Sequence, residues 1–144
     1  KWHMNGEFNQ PSQPQPNDHG FDHWFATQNN AYPNHRNPDN FVRNGTALGK
    51  LEGYAADLVT GEAQRWLDAR DATKPFFLYV CYHEPHEPIA SAEKYTALYP
   101  SDDPSYSAHH GNITQLDAAF GRLMKTLDEK GLRDNTLVFF SCYN

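Results

Sequence analysis

The sequence has little of what several classes of protein require. Its 144 residues include only two cysteines, Cys81 and Cys142, which form no C-x-x-C pair and no disulfide framework. Its longest apolar run, residues 75–82, is too short to span a bilayer. Acidic residues outnumber basic ones by 18 to 12, which gives a net charge of −6. With no basic cluster, no nucleic-acid partner is expected. No charged segment precedes an apolar one, so no signal peptide is visible.

The first third of the chain is rich in residues that interrupt regular structure. Residues 9–18 are mostly Pro, Gln and Asn, and residues 29–49 contain two prolines and many asparagines. We therefore expect residues 1–53 to be irregular. A segment of this length without helices or strands is either functional or packs against a larger body.

From residue 54 onward, apolar residues recur at helical spacing. They predict one helix from Tyr54 to Leu67 and a second from Ile113 to Leu127. A shorter helix is expected between Ser91 and Leu98. Gly131 follows the second long helix where a glycine commonly ends a helix.

Two apolar runs between and after these helices predict strands. Residues 76–82 and 136–140 are apolar on both faces, which is typical of buried strands in a parallel sheet. Strands that alternate with amphipathic helices indicate an α/β fold with a mainly parallel sheet flanked by helices. Two parallel strands cannot stand alone, so most of this sheet is expected to lie outside the chain.

Polar residues follow each predicted strand. Ligands of open α/β sheets bind beyond the carboxyl ends of the strands. His83 and His86 follow the first strand and residues 142–144 follow the second, so both groups are candidate site residues. The spacing of the two histidines could bind zinc, but Pro85 between them prevents a regular helix through both.

Five motifs in this order resemble those of type I sulfatases. Lys1–Gly6 resembles the family's G-K-W-H-L-G motif without its first glycine, and 75–79 with Pro85–Pro88 resembles a strand leading to a P-H-x-P loop. The other three are a G-F-D turn at 20–22, a helix motif at 112–127, and 131–140, which resembles the run into an S-D-N-G metal motif. The resemblance implies that 1–144 is part of an alkaline-phosphatase-like catalytic domain. Residues 1–53 would then be a substrate-side segment and 54–144 an α/β segment.

The resemblance also implies a chemistry. The family hydrolyses sulfate esters with a formylglycine nucleophile and a divalent cation, usually Ca²⁺. Lys1 would contact the sulfate and the nucleophile, and His3 would bond the formylglycine hydroxyl. His86 would hold the sulfate or protonate the leaving alcohol, with His83 beside the substrate. A sulfated carbohydrate or small sulfate ester is the expected substrate, and a periplasmic or secreted bacterial location is expected.

Parts of the family pattern are missing from this sequence. It has no C-x-P-x-R or S-x-P-x-R precursor of formylglycine, and it lacks the paired aspartates that bind Ca²⁺. Tyr143-Asn144 stands where the family has Asp-Asn, and Asn144 alone is a weak metal ligand. The chain is therefore predicted to be an internal, inactive fragment whose partner is the remainder of the sulfatase domain. The alternatives are a stand-alone anion-binding pseudoenzyme module and a phosphoester hydrolase of the same superfamily.

Overall fold

The computed structural model describes residues 1–142, so the predicted metal ligand Asn144 and its neighbour Tyr143 lie outside the described residues. The helices are α1 (Ala55–Ala69), α2 (Glu93–Thr96) and α3 (Pro104–Glu129), with 3₁₀ turns at Pro16–His19 and Arg133–Asn135. The strands are β1 (Phe25–Ala26), β2 (Val42–Arg43) and β3 (Thr46–Ala47). No helix in residues 1–142 is long and apolar enough to cross a membrane.

The two long helices confirm the helical periodicity of the sequence. α1 and α3 pack against each other through Ala63 and Leu67 on one helix and Leu123 and Leu127 on the other. α3 begins nine residues before Ile113, at Pro104. Proline suits the first turn of a helix, and the carboxylate of Asp103 caps that turn by accepting a hydrogen bond from the Ser105 main-chain N–H at 2.9 Å.

Gly131 ends α3 as its position predicts. Its φ of 63° is left-handed, a conformation that glycine adopts without steric cost. The Leu132 N–H donates to the Leu127 carbonyl at 2.8 Å, and the Gly131 N–H donates to the Asp128 carbonyl at 3.0 Å. These two bonds form a Schellman motif, which satisfies carbonyls at the end of the helix.

The three short strands form an antiparallel sheet that the sequence analysis missed. β1 pairs with β2, and β2 pairs with β3. Asn44 and Gly45 connect β2 to β3, with φ values of 47° and 84°. Positive φ at both central residues is the geometry of a type I′ hairpin turn, for which Asn-Gly is the favoured pair. The Asn44-Gly45 dipeptide is the sequence signal from which this hairpin could have been predicted.

The prediction that residues 76–82 and 136–140 are strands buried on both faces is wrong for residues 1–142. Neither segment has a strand partner there. Phe76, Leu78 and Val80 pack against the α1–α3 core, whereas the alternating Phe77 is 75% exposed. The reason is that the helices cover one face, whereas on the other face the ring of Phe21 lies beside Phe77 and Tyr79 and leaves both largely exposed. Residues 136–140 show the same alternation, since Val138 packs against the α1–α3 core and Leu137 is 81% exposed.

A second core holds the irregular first third of the chain together. Trp2, Trp24, Ala26 and Val42 form a buried cluster against which Phe8 and Phe21 pack. This cluster joins the first residues of the chain to the antiparallel sheet. Both cysteines are free thiols, Cys81 half-buried and Cys142 exposed.

Candidate active site

The Lys1–His3 segment is fixed by main-chain hydrogen bonds. The Trp2 N–H donates to the Thr27 carbonyl at 2.8 Å, and the His3 N–H donates to the Gln28 carbonyl at 2.7 Å. The Lys1 main-chain nitrogen donates to the Cys81 carbonyl at 3.2 Å. Since Trp2 is buried in the aromatic cluster, this segment has a defined position against residues 27–28 and 81.

The side chain of Asn30 joins Lys1 to the loop that carries His86. The Lys1 ammonium donates to Asn30 Oδ1 at 3.0 Å. Asn30 Nδ2 donates to the Glu87 carbonyl at 2.9 Å, and the same carbonyl accepts a bond from His86 Nδ1 at 2.6 Å. The structure thus brings together two sequence-predicted site residues that are 85 positions apart in the chain.

The hydrogen bonds of His86 define its tautomer. A carbonyl oxygen only accepts, so Nδ1 carries the hydrogen in its bond to Glu87. The other ring nitrogen, Nε2, takes no part in that bond. The His86 side chain is exposed, and its main-chain N–H donates to the His83 carbonyl at 2.9 Å. An exposed Nε2 on a ring held through Nδ1 can serve as a hydrogen-bond or proton donor to an anion.

His3 also has an exposed side chain, and its φ of 55° lies in the left-handed region. That conformation is uncommon for a residue other than glycine. Its main-chain bond to Gln28 holds His3 two residues from Lys1, in a segment that the buried Trp2 anchors. His3 therefore belongs to the same part of the molecule as Lys1.

His83 lies in the interior, where no ligand in solvent reaches it. It is 3% exposed, and its Nε2 lies 2.6 Å from Thr27 Oγ1. The Thr27 hydroxyl donates its single hydrogen to the Asn29 carbonyl at 2.5 Å, so His83 must donate through Nε2–H. Burial lowers the pKa of His83 well below its usual value, which favours this neutral form. Its surroundings suit a residue that fixes the loop better than one that contacts substrate.

A buried polar cluster lies beneath the same loop and was missed by sequence reasoning. His35 is 1% exposed, and burial lowers its pKa to about 4. Burial also raises the pKa of Glu84, whose Oε1 accepts from the Ala56 N–H at 2.9 Å and from Gln115 at 3.4 Å. Asn112 donates to the Ala90 carbonyl at 3.2 Å. These contacts tie the loop to α1 and α3, and no periodicity in the sequence marks them.

Glu62 on α1 is a second charged group that the sequence did not single out. Its carboxylate accepts Arg43 Nε at 2.7 Å and Arg43 Nη2 at 2.6 Å, and it also pairs with Arg65 and with His23 at 2.9 Å. Burial alone would raise the pKa of Glu62, but the hydrogen bonds from these three partners outweigh it and lower the pKa to about 2. The carboxylate thereby joins the antiparallel sheet to α1.

The described residues do not assemble a metal site. Among residues 1–142, no three His, Cys, Asp or Glu side chains converge in a way that could hold a metal ion. His83 and His86, the pair with zinc-like spacing, each use one ring nitrogen in a protein hydrogen bond. The described residues therefore do not fit a Ca²⁺ site.

Comparison with known proteins defines the family. The sulfatase family model matches residues 1–142, so the chain belongs to the sulfatase family. It is 30% identical to the ulvan-active sulfatase of Formosa agariphila, over 98% of this chain and 31% of that protein. It is 31% identical to human N-acetylgalactosamine-6-sulfatase, over 100% of this chain and 29% of that protein. The chain thus spans less than a third of the length of these relatives.

Solved structures show the same fold. The crystal structure of Ps i-CgsB in complex with k-i-k-neocarrahexaose has a TM-score of 0.74 and 24% identity, over 88% of this chain and 33% of that one. A Bacteroides thetaiotaomicron structure, titled for the metabolism of multiple glycosaminoglycans, has a TM-score of 0.68 and 23% identity, over 83% of this chain and 29% of that one. The described α/β arrangement is therefore part of a sulfatase fold.

Proposed function

We propose that this chain is part of a sulfatase that hydrolyses sulfate esters of a sulfated carbohydrate. The observation that carries the proposal is the link between Lys1 and the His86 loop through Asn30. It puts the two motifs that most resemble sulfate-binding motifs at one place in the fold. Membership of the sulfatase family and the named substrates of two relatives support the same reaction class.

The roles of the site residues follow from the charge of the substrate. A sulfate ester carries negative charge on its oxygens and develops more on the leaving alkoxide, so cations and proton donors must converge there. Asn30 occupies one hydrogen of the Lys1 ammonium, which leaves two for sulfate oxygens. His86, protonated at Nε2, donates to a sulfate oxygen or to the leaving oxygen. His3 contacts the nucleophile, as the resemblance implies.

The rest of the machinery is proposed to lie outside the described residues. The formylglycine nucleophile has no precursor motif in the chain, and Ca²⁺ would supply charge stabilisation for the sulfate when bound. Residues 76–82 and 136–140 would become strands of a mainly parallel sheet once neighbouring strands pair with them. By itself the 144-residue chain is expected to release no sulfate.

The test uses the longest reading frame that contains this chain. We expect it to release sulfate from sulfated carbohydrates such as ulvan oligosaccharides or N-acetylgalactosamine 6-sulfate, measured by ion chromatography. Lys1→Ala and His86→Ala should each lower kcat/KM by about a hundredfold, as expected for a lost charge-stabilising or proton-donating group. Lys50→Ala, which removes an exposed lysine outside the site, should leave kcat/KM unchanged.

Two other results would overturn the proposal and identify its alternatives. Binding of inorganic sulfate without ester hydrolysis would indicate an anion-binding module that keeps Lys1, His3 and His86 but not the reaction. Release of phosphate from phosphoesters, with no sulfate released from sulfate esters, would indicate a phosphoester hydrolase of the same superfamily.

A further inference from the structure

We propose that Asn30 is a positioning residue that sets Lys1 and His86 relative to each other; this inference rests on the function proposed above. Asn30 lies in none of the motifs that point to a sulfatase. Its side chain nevertheless contacts the Lys1 ammonium and the Glu87 carbonyl, 29 and 57 residues away in the chain, and that carbonyl also accepts from His86 Nδ1.

The chemistry of its partners fixes the orientation of the Asn30 amide. The Lys1 ammonium can only donate, so it must face Oδ1, and the Glu87 carbonyl can only accept, so it must face Nδ2. A flipped amide would lose both bonds and place like groups against each other. The amide therefore has one stable orientation, and each end of it holds a different segment.

Neighbouring hydrogen bonds hold the main chain of Asn30 in place. Asn40 Nδ2 donates to the Asn30 carbonyl at 2.8 Å, and Asn40 Oδ1 accepts from the Tyr32 N–H at 2.9 Å. On the other side, the Thr27 hydroxyl donates to the Asn29 carbonyl. Asn30 is half-buried between these two anchors. Its amide is thus presented by a fixed turn and not by a free loop.

The Asn30 amide also acts on the protonation of His86 through the Glu87 carbonyl. That carbonyl accepts from Asn30 Nδ2 and from His86 Nδ1–H at the same time. Because Asn30 fixes the direction of the carbonyl, it favours the Nδ1–H tautomer of His86. Loss of Asn30 should therefore change the tautomer of His86 as well as the position of Lys1.

Two variants separate the two ends of the amide. Asn30→Asp keeps an oxygen for Lys1, but it replaces the donor to Glu87 with a negative charge. Asn30→Ala removes both bonds. Asn29→Ala is the matched control, because Asn29 is the exposed neighbour and the contact made by its carbonyl is retained. Thermal unfolding of each variant checks that the fold is intact.

The first readout is the imidazole tautomer of His86 in the 144-residue chain, measured by long-range ¹H–¹⁵N NMR. Wild type and Asn29→Ala should show mainly the Nδ1–H form at neutral pH. Asn30→Ala and Asn30→Asp should each show a mixture of tautomers, because neither side chain donates to the Glu87 carbonyl. An unchanged tautomer in both Asn30 variants would overturn the inference.

The second readout is kinetic and uses the longer reading frame with a sulfate ester. Asn30→Ala should lower kcat/KM by about tenfold to a hundredfold, as expected when a reacting group is displaced by a fraction of an ångström to one ångström. Asn30→Asp should mainly raise KM, because its carboxylate neutralises the Lys1 charge. Equal kinetics for Asn30→Ala and Asn29→Ala would contradict a positioning role. If wild type hydrolyses no sulfate ester, the proposed function fails, while the tautomer measurement still decides the role of Asn30.

Discussion

The imidazole of His83 donates a hydrogen bond to the hydroxyl of Thr27 at 2.6 Å, and this buried contact joins two segments that are 56 residues apart. Thr27 also accepts the Trp2 N–H through its carbonyl, so it contacts the segment that carries Lys1 and His3 as well. Thr27, which directly follows β1, thus holds both predicted site segments. The two motifs meet because a loop between them in sequence binds each one.

The Thr27 hydroxyl can be removed without changing the shape of the side chain. Thr27→Val leaves the Nε2–H of His83 buried without an acceptor, which should destabilise the protein by about 2 kcal/mol. Thr27→Ser keeps the hydroxyl and should cost about 1 kcal/mol for the lost methyl group. Chemical denaturation measures both. NMR should show the neutral Nε2–H tautomer of His83 in wild type and in Thr27→Ser. A Thr27→Val variant as stable as Thr27→Ser would contradict the contact.

The parts of the fold that the sequence predicted are those set by local patterns. α1 and α3 follow from apolar residues three and four apart, and Gly131 follows from the need for a left-handed residue after a helix. The two apolar segments were wrongly predicted as strands buried on both faces. Strand formation depends on a partner, and the pattern of one segment carries no information about whether its partner is present.

The sequence alone identified only part of the candidate site. Lys1, His3 and His86 were found because they lie in motifs that resemble those of a known family. Asn30 and Thr27 lie in a polar, proline-containing stretch where no spacing distinguishes one asparagine or threonine from another. Their importance arises from hydrogen bonds to segments more than 20 residues away, which only the folded chain reveals.

The buried carboxylate of Glu62 should make stability depend on pH in the acid range. Its pKa falls from 4.5 to about 2 on folding, so its stabilising effect is complete above about pH 4.5 and is lost as the pH falls toward 2. Glu62→Gln should destabilise the protein by about 2 kcal/mol at pH 7. Breaking a fully buried ion pair would cost more, but the two arginine partners are 38% and 63% exposed and their charges are partly screened by solvent. This difference from wild type should shrink between pH 4.5 and 2.

Denaturation across that pH range tests the Glu62 network. Asp68→Asn is the matched control on the same helix, because Asp68 pairs with Lys130 but is 63% exposed. A surface pair of this kind should contribute less than about 1 kcal/mol. A Glu62→Gln difference that stays constant from pH 7 to pH 2 would show that the carboxylate acts through its shape and not its charge.

Two glycines, Gly121 inside α3 and Gly131 just after it, should respond to alanine in opposite directions. Gly131 has a φ of 63°, so Gly131→Ala should cost about 1 kcal/mol by forcing alanine into the left-handed region. Gly121 lies inside α3 and is exposed, and nothing within 4 Å would contact an added Cβ. Gly121→Ala should therefore stabilise the protein by about 0.5 to 1 kcal/mol. Thermal unfolding measures both effects, and a Gly131→Ala variant that unfolds at the wild-type temperature or above would contradict the Schellman cap.

Phe77 and Leu78 lie on opposite faces of residues 76–82, and comparing them in this chain and in a longer protein tests whether neighbouring strands complete the sheet. Phe77 is 75% exposed, whereas Leu78 packs against the α1–α3 core. In the 144-residue chain, Phe77→Ser should change the free energy of unfolding by less than about 0.5 kcal/mol, and Leu78→Ser should cost about 2 to 4 kcal/mol.

In the longer reading frame, neighbouring strands should cover Phe77, because exposed apolar faces of this kind pack against other elements. Phe77→Ser should then cost about as much as Leu78→Ser. Chemical denaturation of both variants in both lengths of chain gives the answer, and a Phe77 that stays insensitive in the longer protein would contradict the proposed completion of the sheet.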